Sequence, residues 1–425
     1  MKQLLIATSL LAAATGAHAL TDLNLDEECN YNGTAIDINY PWVGGVNYVY
    51  CELPTTIAVD DEIELLEESD SEGKPILWAL PGIVTVGDGY LQGSTPATAD
   101  STRIYVDEGV NIVGAVPNSA LVITRGAQIE ANGSANAPVV FSSLDTDFTG
   151  EGEWGGLILS GFGDANECNS GADTCIMEGI SAGYYFGGGL STTASSGSLE
   201  YVVITEGGVE INVDDPDPVA NGGNEINGLT LYAVNDTTII NRIHVNENLD
   251  DGIEFFGGDV DVRNVWLTCN GDDSVDWDYG YHGTIQNIYI EQGDKNGSED
   301  YAFELAGNPN NAAALPLANG TVSNAYVEFK GDRANVATLT DAIFKLKEGT
   351  SGSFDNIKIV GYASSTPSQT PDQDCDDIDS TNITSANFGR MTYDCTVVDG
   401  SKFVATGLAT FNKTPTFWAA APTCN

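Results

Sequence analysis

Asp250-Asp251-Gly252-Ile253-Glu254-Phe255-Phe256-Gly257-Gly258 is answered 22 residues later by Asp272-Asp273-Ser274-Val275-Asp276-Trp277-Asp278-Tyr279-Gly280. Each copy is a double aspartate running into a short apolar strand that carries a further acid. Self-similarity at this period marks stacked supersecondary units, each of which needs its neighbours to bury its apolar side. Stacked strands lie about 4.8 Å apart. Equivalent carboxylates on successive coils would therefore form a column.

The same spacing continues on either side. One series of strands reads Arg242-Ile-His-Val245, Asn264-Val-Trp-Leu267, Asn287-Ile-Tyr-Ile290, Asn324-Ala-Tyr-Val327 and Asn356-Ile-Lys-Ile359, with steps of 22, 23, 37 and 32 residues. A second series pairs an aspartate with an apolar residue two positions on: Asp251 with Ile253, Asp273 with Val275, Asp300 with Ala302, and Asp341 with Ile343. The two series interleave, so each coil contributes at least two strands. The long steps read as loops inserted into a coil. Helical periodicity is almost absent, and the 48 glycines fit a turn-rich architecture. These features predict an all-β solenoid, a parallel β-helix. In it Asn264, Asn287, Asn324 and Asn356 stack at one turn, with amides bonding along the column.

The first half adds a more specific pattern. Gly126-Ala-Gln-Ile-Glu-Ala-Asn-Gly133 is followed by Pro138-Val-Val-Phe-Ser-Ser143 and then by Trp154-Gly-Gly156. With residues 250–258 and the acidic coil at 271–280, this resembles a family of secreted bacterial right-handed parallel β-helix proteins, over roughly residues 75 to 362. The resemblance implies that fold and its handedness, and no particular reaction. The expected organisation is a signal peptide at 1–19, an N-terminal cap at 20–75, the β-helix at 76–362 and a disulfide-containing C-terminal cap at 363–425. Caps are expected because open strand edges invite aggregation.

The expected leader has a positive start at Lys2, an apolar run from Leu4 to Ala14 and a small-x-small cleavage site at Ala17-His18-Ala19. It implies export, to the outer surface, the medium or the periplasm, with no later span long enough to cross a membrane. The formal charge is -47, from 62 acidic and 15 basic residues. Such a surface excludes nucleic acid and anionic membranes as partners and favours divalent cations. Eight cysteines behind a leader predict disulfides. Proximity favours Cys29–Cys51, Cys168–Cys175 and Cys375–Cys395, leaving Cys269 and Cys424.

The acidic column carries the chemistry. Two unit charges about 5 Å apart repel by about 3 kcal/mol at an effective dielectric of 20. Asp250, Asp251, Glu254, Asp272, Asp273 and Asp276 therefore call for a cation, for protons or for full solvation. Their hard oxygens suit Ca²⁺. A catalytic use has a definite form. Asp251, and Asp272-Asp273 one coil later, are similar to the acids of polygalacturonase-type hydrolases, which would make Asp251, Asp272 and Asp273 the acid and base of glycoside cleavage. That family's histidine and arginine elements do not match: His282 follows Asp273 by nine residues, and Asn356-Ile357-Lys358 lacks the arginine. A lyase would need a basic residue, and Lys295, Lys345, Lys347 and Arg242 are nearest in sequence. Trp277, Tyr279 and Tyr281, with Trp266 and Tyr289, form a candidate sugar-stacking platform. His244 is expected at the surface or in a turn ladder. The sequence is thus read first as a Ca²⁺-stabilised binding or structural module, with a polysaccharide or another surface protein as partner. Second comes a polysaccharide hydrolase or lyase, and third a self-assembling surface-layer or filament subunit, that is, a homo-oligomer.

Overall fold

Alternation along each short strand decides what enters the core. Ile253 and Phe255 must point to one side and Glu254 to the other. A coil built of such strands buries its inner side against the coils above and below, and its outer side only where other segments cover it. The computed structural model describes residues 21–22, 36–38, 46–57, 62–67, 75–91, 93–144, 150–167, 175–177, 179–180, 185–186, 193–209, 211, 226–293, 301–329, 343–360, 378–380, 385–388 and 391–394. Among them there is no helix, and so none long and apolar enough to cross a membrane. The expected leader lies outside the described residues.

The strands form a parallel β-helix with three ladders. The third ladder stands apart as its own sheet. It stacks Thr56–Ile57, Ile83–Val86, Ala120–Ile123, Leu157–Ser160, Leu229–Tyr232, Ile253–Phe256, Val275–Asp278, Phe303–Leu305, Phe344–Leu346 and Ile378–Ser380. The first two ladders join around a corner. In early coils they use separate strands, such as Arg103–Val106 and Asn111–Gly114. From Gly197–Thr205 onward one bent strand serves both, as in Ile239–Asn246, Val262–Thr268, Thr284–Gln292, Asn319–Phe329 and Ser351–Val360. Strands also join the ladders outside the expected span of 76–362. Val49 pairs Ile76, Thr56 pairs Thr85, Ile357 pairs Met391 and Phe344 pairs Ile378. Thr21–Asp22, Glu62–Leu65 and Ser385–Phe388 join the ladders as well, and Ile36–Ile38 pairs antiparallel with residues 46–48; most other residues of the two expected caps lie outside the described set.

The bend in each long strand is a single left-handed residue: Tyr201, Arg242, Asn264, Asn287, Asn324 and Asn356, with φ between 52° and 62°. Asparagine tolerates this conformation better than other residues with a Cβ, and its amide both donates and accepts. The predicted ladder forms. Asn287 Nδ2 donates to Asn264 Oδ1 at 3.1 Å, Asn324 to Asn287 at 3.0 Å, and Asn356 to Asn324 at 2.7 Å. Where Arg242 takes the bend, the amide comes from one residue earlier, and Asn264 donates to Asn241 Oδ1 at 2.7 Å.

The core of the third sheet is two inward rows. Leu229, Ile253, Val275, Phe303 and Phe344 are in register, as are Leu231, Phe255, Trp277, Leu305 and Leu346. Each is buried, which contributes about 2 kcal/mol per large side chain. Trp277 needs space from the opposite wall: a Cβ on Gly320 would come within 2.6 Å of its ring. The register corrects one expectation. Val275 pairs Phe303, not Ala302, whereas the next step holds, since Phe303 pairs Phe344 and Ala302 therefore matches Ile343.

A second apolar cluster lies outside the helix. Val122, Ile158, Tyr232 and Phe256 face outward from the third sheet and are covered by Ala165, Cys175, Met177, Ile180 and Ile211. These come from the insertions that flank Gly197–Thr205. Cys51, Cys175 and Cys269 are disulfide-bonded; Cys29 and Cys168, the partners expected for the first two, and the expected pair Cys375–Cys395 lie outside the described residues.

His244 is neither at the surface nor in a turn: it lies within the strand Ile239–Asn246, in register with Val203 and Trp266, and is fully buried. Thr268 Oγ1 donates to Asn246 Oδ1 at 2.8 Å, so its one hydroxyl proton is used. The 2.8 Å contact from His244 Nε2 to Thr268 Oγ1 must then be donated by the imidazole. Burial pulls the His244 pKa down to about 3, which keeps the ring neutral.

Candidate acidic cation site

The outer face of the third sheet changes character along the helix axis. One outward row, in register, reads Thr230, Glu254, Asp276, Glu304 and Lys345. Beside it the turn before each strand contributes Asn227, Asp251, Asp273 and Tyr301. These align because Gly228 donates to the Asp251 carbonyl, Gly252 to that of Asp273 and Ser274 to that of Tyr301. The doubled motif thus makes two parallel acidic rows, as the 22-residue repeat predicts.

The turn aspartates already have work. Asp251 Oδ1 accepts the Asp273 backbone N–H at 2.8 Å, and Asp273 Oδ1 accepts that of Tyr301 at 2.6 Å. Each carboxylate caps the coil after its own. Glu254 accepts a hydrogen bond from Asn227 Nδ2. At the far end Lys347 Nζ donates to Glu304 Oε1, Lys345 Nζ lies 3.9 Å from Glu304 Oε2, and Lys345 also donates to the Tyr301 hydroxyl at 3.0 Å.

These acids are out of water. Asp251, Glu254, Asp273 and Asp276 are 5, 7, 4 and 8 % exposed. Three groups of three have carboxylate oxygens within 4.8 Å of one another: Asp250, Asp251 and Asp272; Asp251, Glu254 and Asp276; and Asp273, Asp276 and Glu304. All six residues expected as metal ligands belong to them. Burial, then the charges of Asp250, Asp276 and Asp272, push the Asp251 carboxyl well above the usual range against the pull of the Asp273 N–H. Asp273 is raised by burial and by Asp251, Asp272 and Glu304. Asp276 is raised by burial and by Asp278, Glu304 and Asp273, with Lys347 opposing. Asp276 Oδ1 is buried and has no hydrogen-bond partner. A buried carboxylate oxygen without a donor costs free energy unless a proton or a cation meets it.

Glu304 was not foreseen, and the register explains why. Matching Asp300 to Asp273 sends Glu304 inward beside Trp277, and a one-residue slip reverses every side chain. The correct register places it on Asp276. Lys345 and Lys347, named only as the nearest bases, stand at the end of the acidic row.

The carbohydrate platform is not there. Trp277 is wholly buried, with its ring 6.1 Å from Phe354 and its indole N–H donating to Thr350 Oγ1 at 3.0 Å. Tyr281 is equally buried, its ring 4.3 Å from Phe255 and its hydroxyl donating to the Val260 carbonyl at 3.0 Å. Neither offers a face to a sugar. The alternation that turns Asp276 outward necessarily turns Trp277 inward. Tyr279 is half-buried against Phe256 at 6.1 Å. Trp266, Tyr289 and Tyr326 form a row of tilted rings on the outside of the second ladder, with centroids 6.0 and 5.8 Å apart. His282 is exposed at the turn that follows Val275–Asp278, at the opposite end of that strand from Asp273.

The chain belongs to the family of the pectate-lyase-like β-helix domain, whose model matches residues 87–416. No curated protein matches it. Among solved structures it is similar to full-length tailspike protein 2 from Escherichia coli O157:H7 bacteriophage CAB120, at 12% identity and a TM-score of 0.25. That match covers 79% of this chain and 44% of the tailspike chain, so less than half of the tailspike is spanned.

Proposed function

We propose that this protein is an exported β-helix binding or structural module whose acidic strip holds a divalent cation, with Ca²⁺ the best fit. The observation that carries the reading is Asp276, a carboxylate more than nine-tenths buried, among acids, with one oxygen lacking any donor. Hard carboxylate oxygens without thiolates or imidazoles suit Ca²⁺, which takes 6–8 oxygens and tolerates irregular geometry. Asp251, Glu254 and Asp276 would supply part of that shell, and water the rest. The ion would tie together two successive coils and relieve the repulsion between them. The partner in this reading is a polysaccharide or another surface protein, met outside the cell or in the periplasm.

A polysaccharide hydrolase or lyase is the second reading, favoured by clustered aspartates on one face of a pectate-lyase-like β-helix. Two observations weigh against it. Asp251 and Asp273 are committed to backbone N–H groups. A lyase base must also give up its proton near neutral pH. At Lys347, burial pulls the pKa down but is outweighed by the Glu304 hydrogen bond and by nearby carboxylates, leaving it raised. Lys345 is raised by its bond to Tyr301 and by Glu304, despite burial.

Melting in Ca²⁺ and in chelator separates the readings. A ligand at a thousand times its Kd adds about 4 kcal/mol, or roughly 5 °C for a chain of this length. That shift without new reducing ends or unsaturated products from acidic and neutral polysaccharides supports the module. Turnover that Asp273→Asn abolishes in a folded chain would establish the enzyme instead.

A further inference from the structure

We infer that the strip takes one divalent cation, among Asp251, Glu254 and Asp276, and that Lys347 fills the next place along as a tethered counter-ion. The inference rests on the cation reading above and states where the ion goes and why the row stops.

Two of the acid triads are neighbours and share Asp276. In the first, Asp251, Glu254 and Asp276 are all buried, and the hydrogen bonds described to Asp251 and Glu254 come from neutral N–H donors, Asp273 N and Asn227 Nδ2. The second triad, Asp273, Asp276 and Glu304, contains the same number of acids but lies against two ammonium groups. Lys347 comes from the coil that follows Glu304 in the stack, since Leu346 pairs Leu305. Its side chain and that of Glu304 are 28 and 13 % exposed, so their contact is largely shielded from solvent. A divalent ion at the second triad would have to sit beside this ammonium, which bonds one of its prospective ligands. Glu304, which belongs only to the second triad, thus has its counter-ion in Lys347, and the shared, donor-free oxygen of Asp276 is left to the first triad.

The sequence shows the same succession along one outward row. Thr230, Glu254, Asp276 and Glu304 are followed by Lys345. The chain supplies its own cations at one end of the row and leaves the other end to the medium.

Equilibrium dialysis of the full chain against Ca²⁺ at 0.3 M salt counts the sites, with strip sites taken as the difference from Asp276→Asn. Terbium luminescence sensitised by nearby aromatic rings gives an independent count. One strip ion is expected in the native chain, two in Lys347→Gln, and one in Lys347→Arg, which keeps the charge. Should Lys347→Gln fold poorly in chelator, Ca²⁺ is expected to rescue it while Lys347→Arg needs no rescue. Two strip ions in the native chain, or an unchanged count in Lys347→Gln, would overturn the role of Lys347 and leave the cation reading standing. No strip ion in any variant, with melting indifferent to Ca²⁺, would remove that reading and this inference together.

Discussion

Two ladders run up this β-helix at the same coil spacing, one of asparagines and one of acids, and they solve the stacking problem differently. Asn264, Asn287, Asn324 and Asn356 each donate to the amide below, and Asn264, Asn287 and Asn324 also accept from above, so the column satisfies itself from within. Carboxylates only accept, and they carry charge. Asp251 and Asp273 borrow backbone donors, Glu254 borrows Asn227, and Glu304 borrows Lys347. Asp276 has an oxygen left over. An amide ladder is complete as built, whereas an acid ladder of this kind is complete only with a partner from solution. The comparison locates function at the column the chain leaves unfinished.

The largest effect should come from breaking the finished ladder. Asn287→Ala removes two amide hydrogen bonds, at 3.1 and 3.0 Å, and puts alanine at a φ of 60°. The expected loss is about 3 kcal/mol, seen equally in Ca²⁺ and in chelator by denaturant unfolding. The unfinished ladder should respond with a change of sign. Asp276→Asn removes a buried charge and supplies donors to its acidic neighbours, so in chelator it should stabilise by about 1–2 kcal/mol. In Ca²⁺ the same variant should be less stable than the native chain.

The pH response sharpens the contrast further. Asp251, Asp273 and Asp276 hold their protons to higher pH in the fold than in the unfolded chain. Their contribution is therefore fully present below the unfolded carboxyl value near 4 and is lost as pH rises through the raised folded values. In chelator the melting temperature should decline from pH 5 to pH 8, an effect that Ca²⁺ removes by taking the place of the protons. His244 acts oppositely. Its neutral form contributes above the unfolded value of 6.5 and is lost as pH falls toward about 3. His244→Asn should flatten the acid side of the profile and leave the alkaline side alone. The smallest effect is expected at the exposed Arg263–Asp261 pair, 3.1 Å apart. Arg263→Ala should stay within about 0.5 kcal/mol under every condition.

Much of this contrast can be read from residue spacing, because strand stacking turns a sequence period into a spatial column. The asparagine ladder follows from four residues of one type at strand starts, and the acid rows follow from the doubled aspartates. What escapes is set by insertions. The stretch between Gln292 and Phe303 changes the coil length, so counting from Asp300 misplaces Glu304 by one position and hides the link to Lys345 and Lys347. Burial of the acids is also invisible in the motif. Nor does the motif show that Met177, Ile180 and Ile211, from distant insertions, cover the neighbouring apolar part of the same sheet face. Trp277 shows the reverse case, in which strict alternation from Asp276 already assigns it to the core and an attractive aromatic cluster obscures the fact.

Proton release on Ca²⁺ binding tests the central claim most directly. Acids that keep their protons in the ion-free fold must give them up to a metal. Calorimetric titration of the full chain near pH 6 in two buffers of different ionisation heat should show a saturable site and a buffer-dependent enthalpy, corresponding to release of protons into solution. The Asp276→Asn variant should lose both. A native chain that shows no saturable heat, and melts identically in Ca²⁺ and in chelator, would contradict the account.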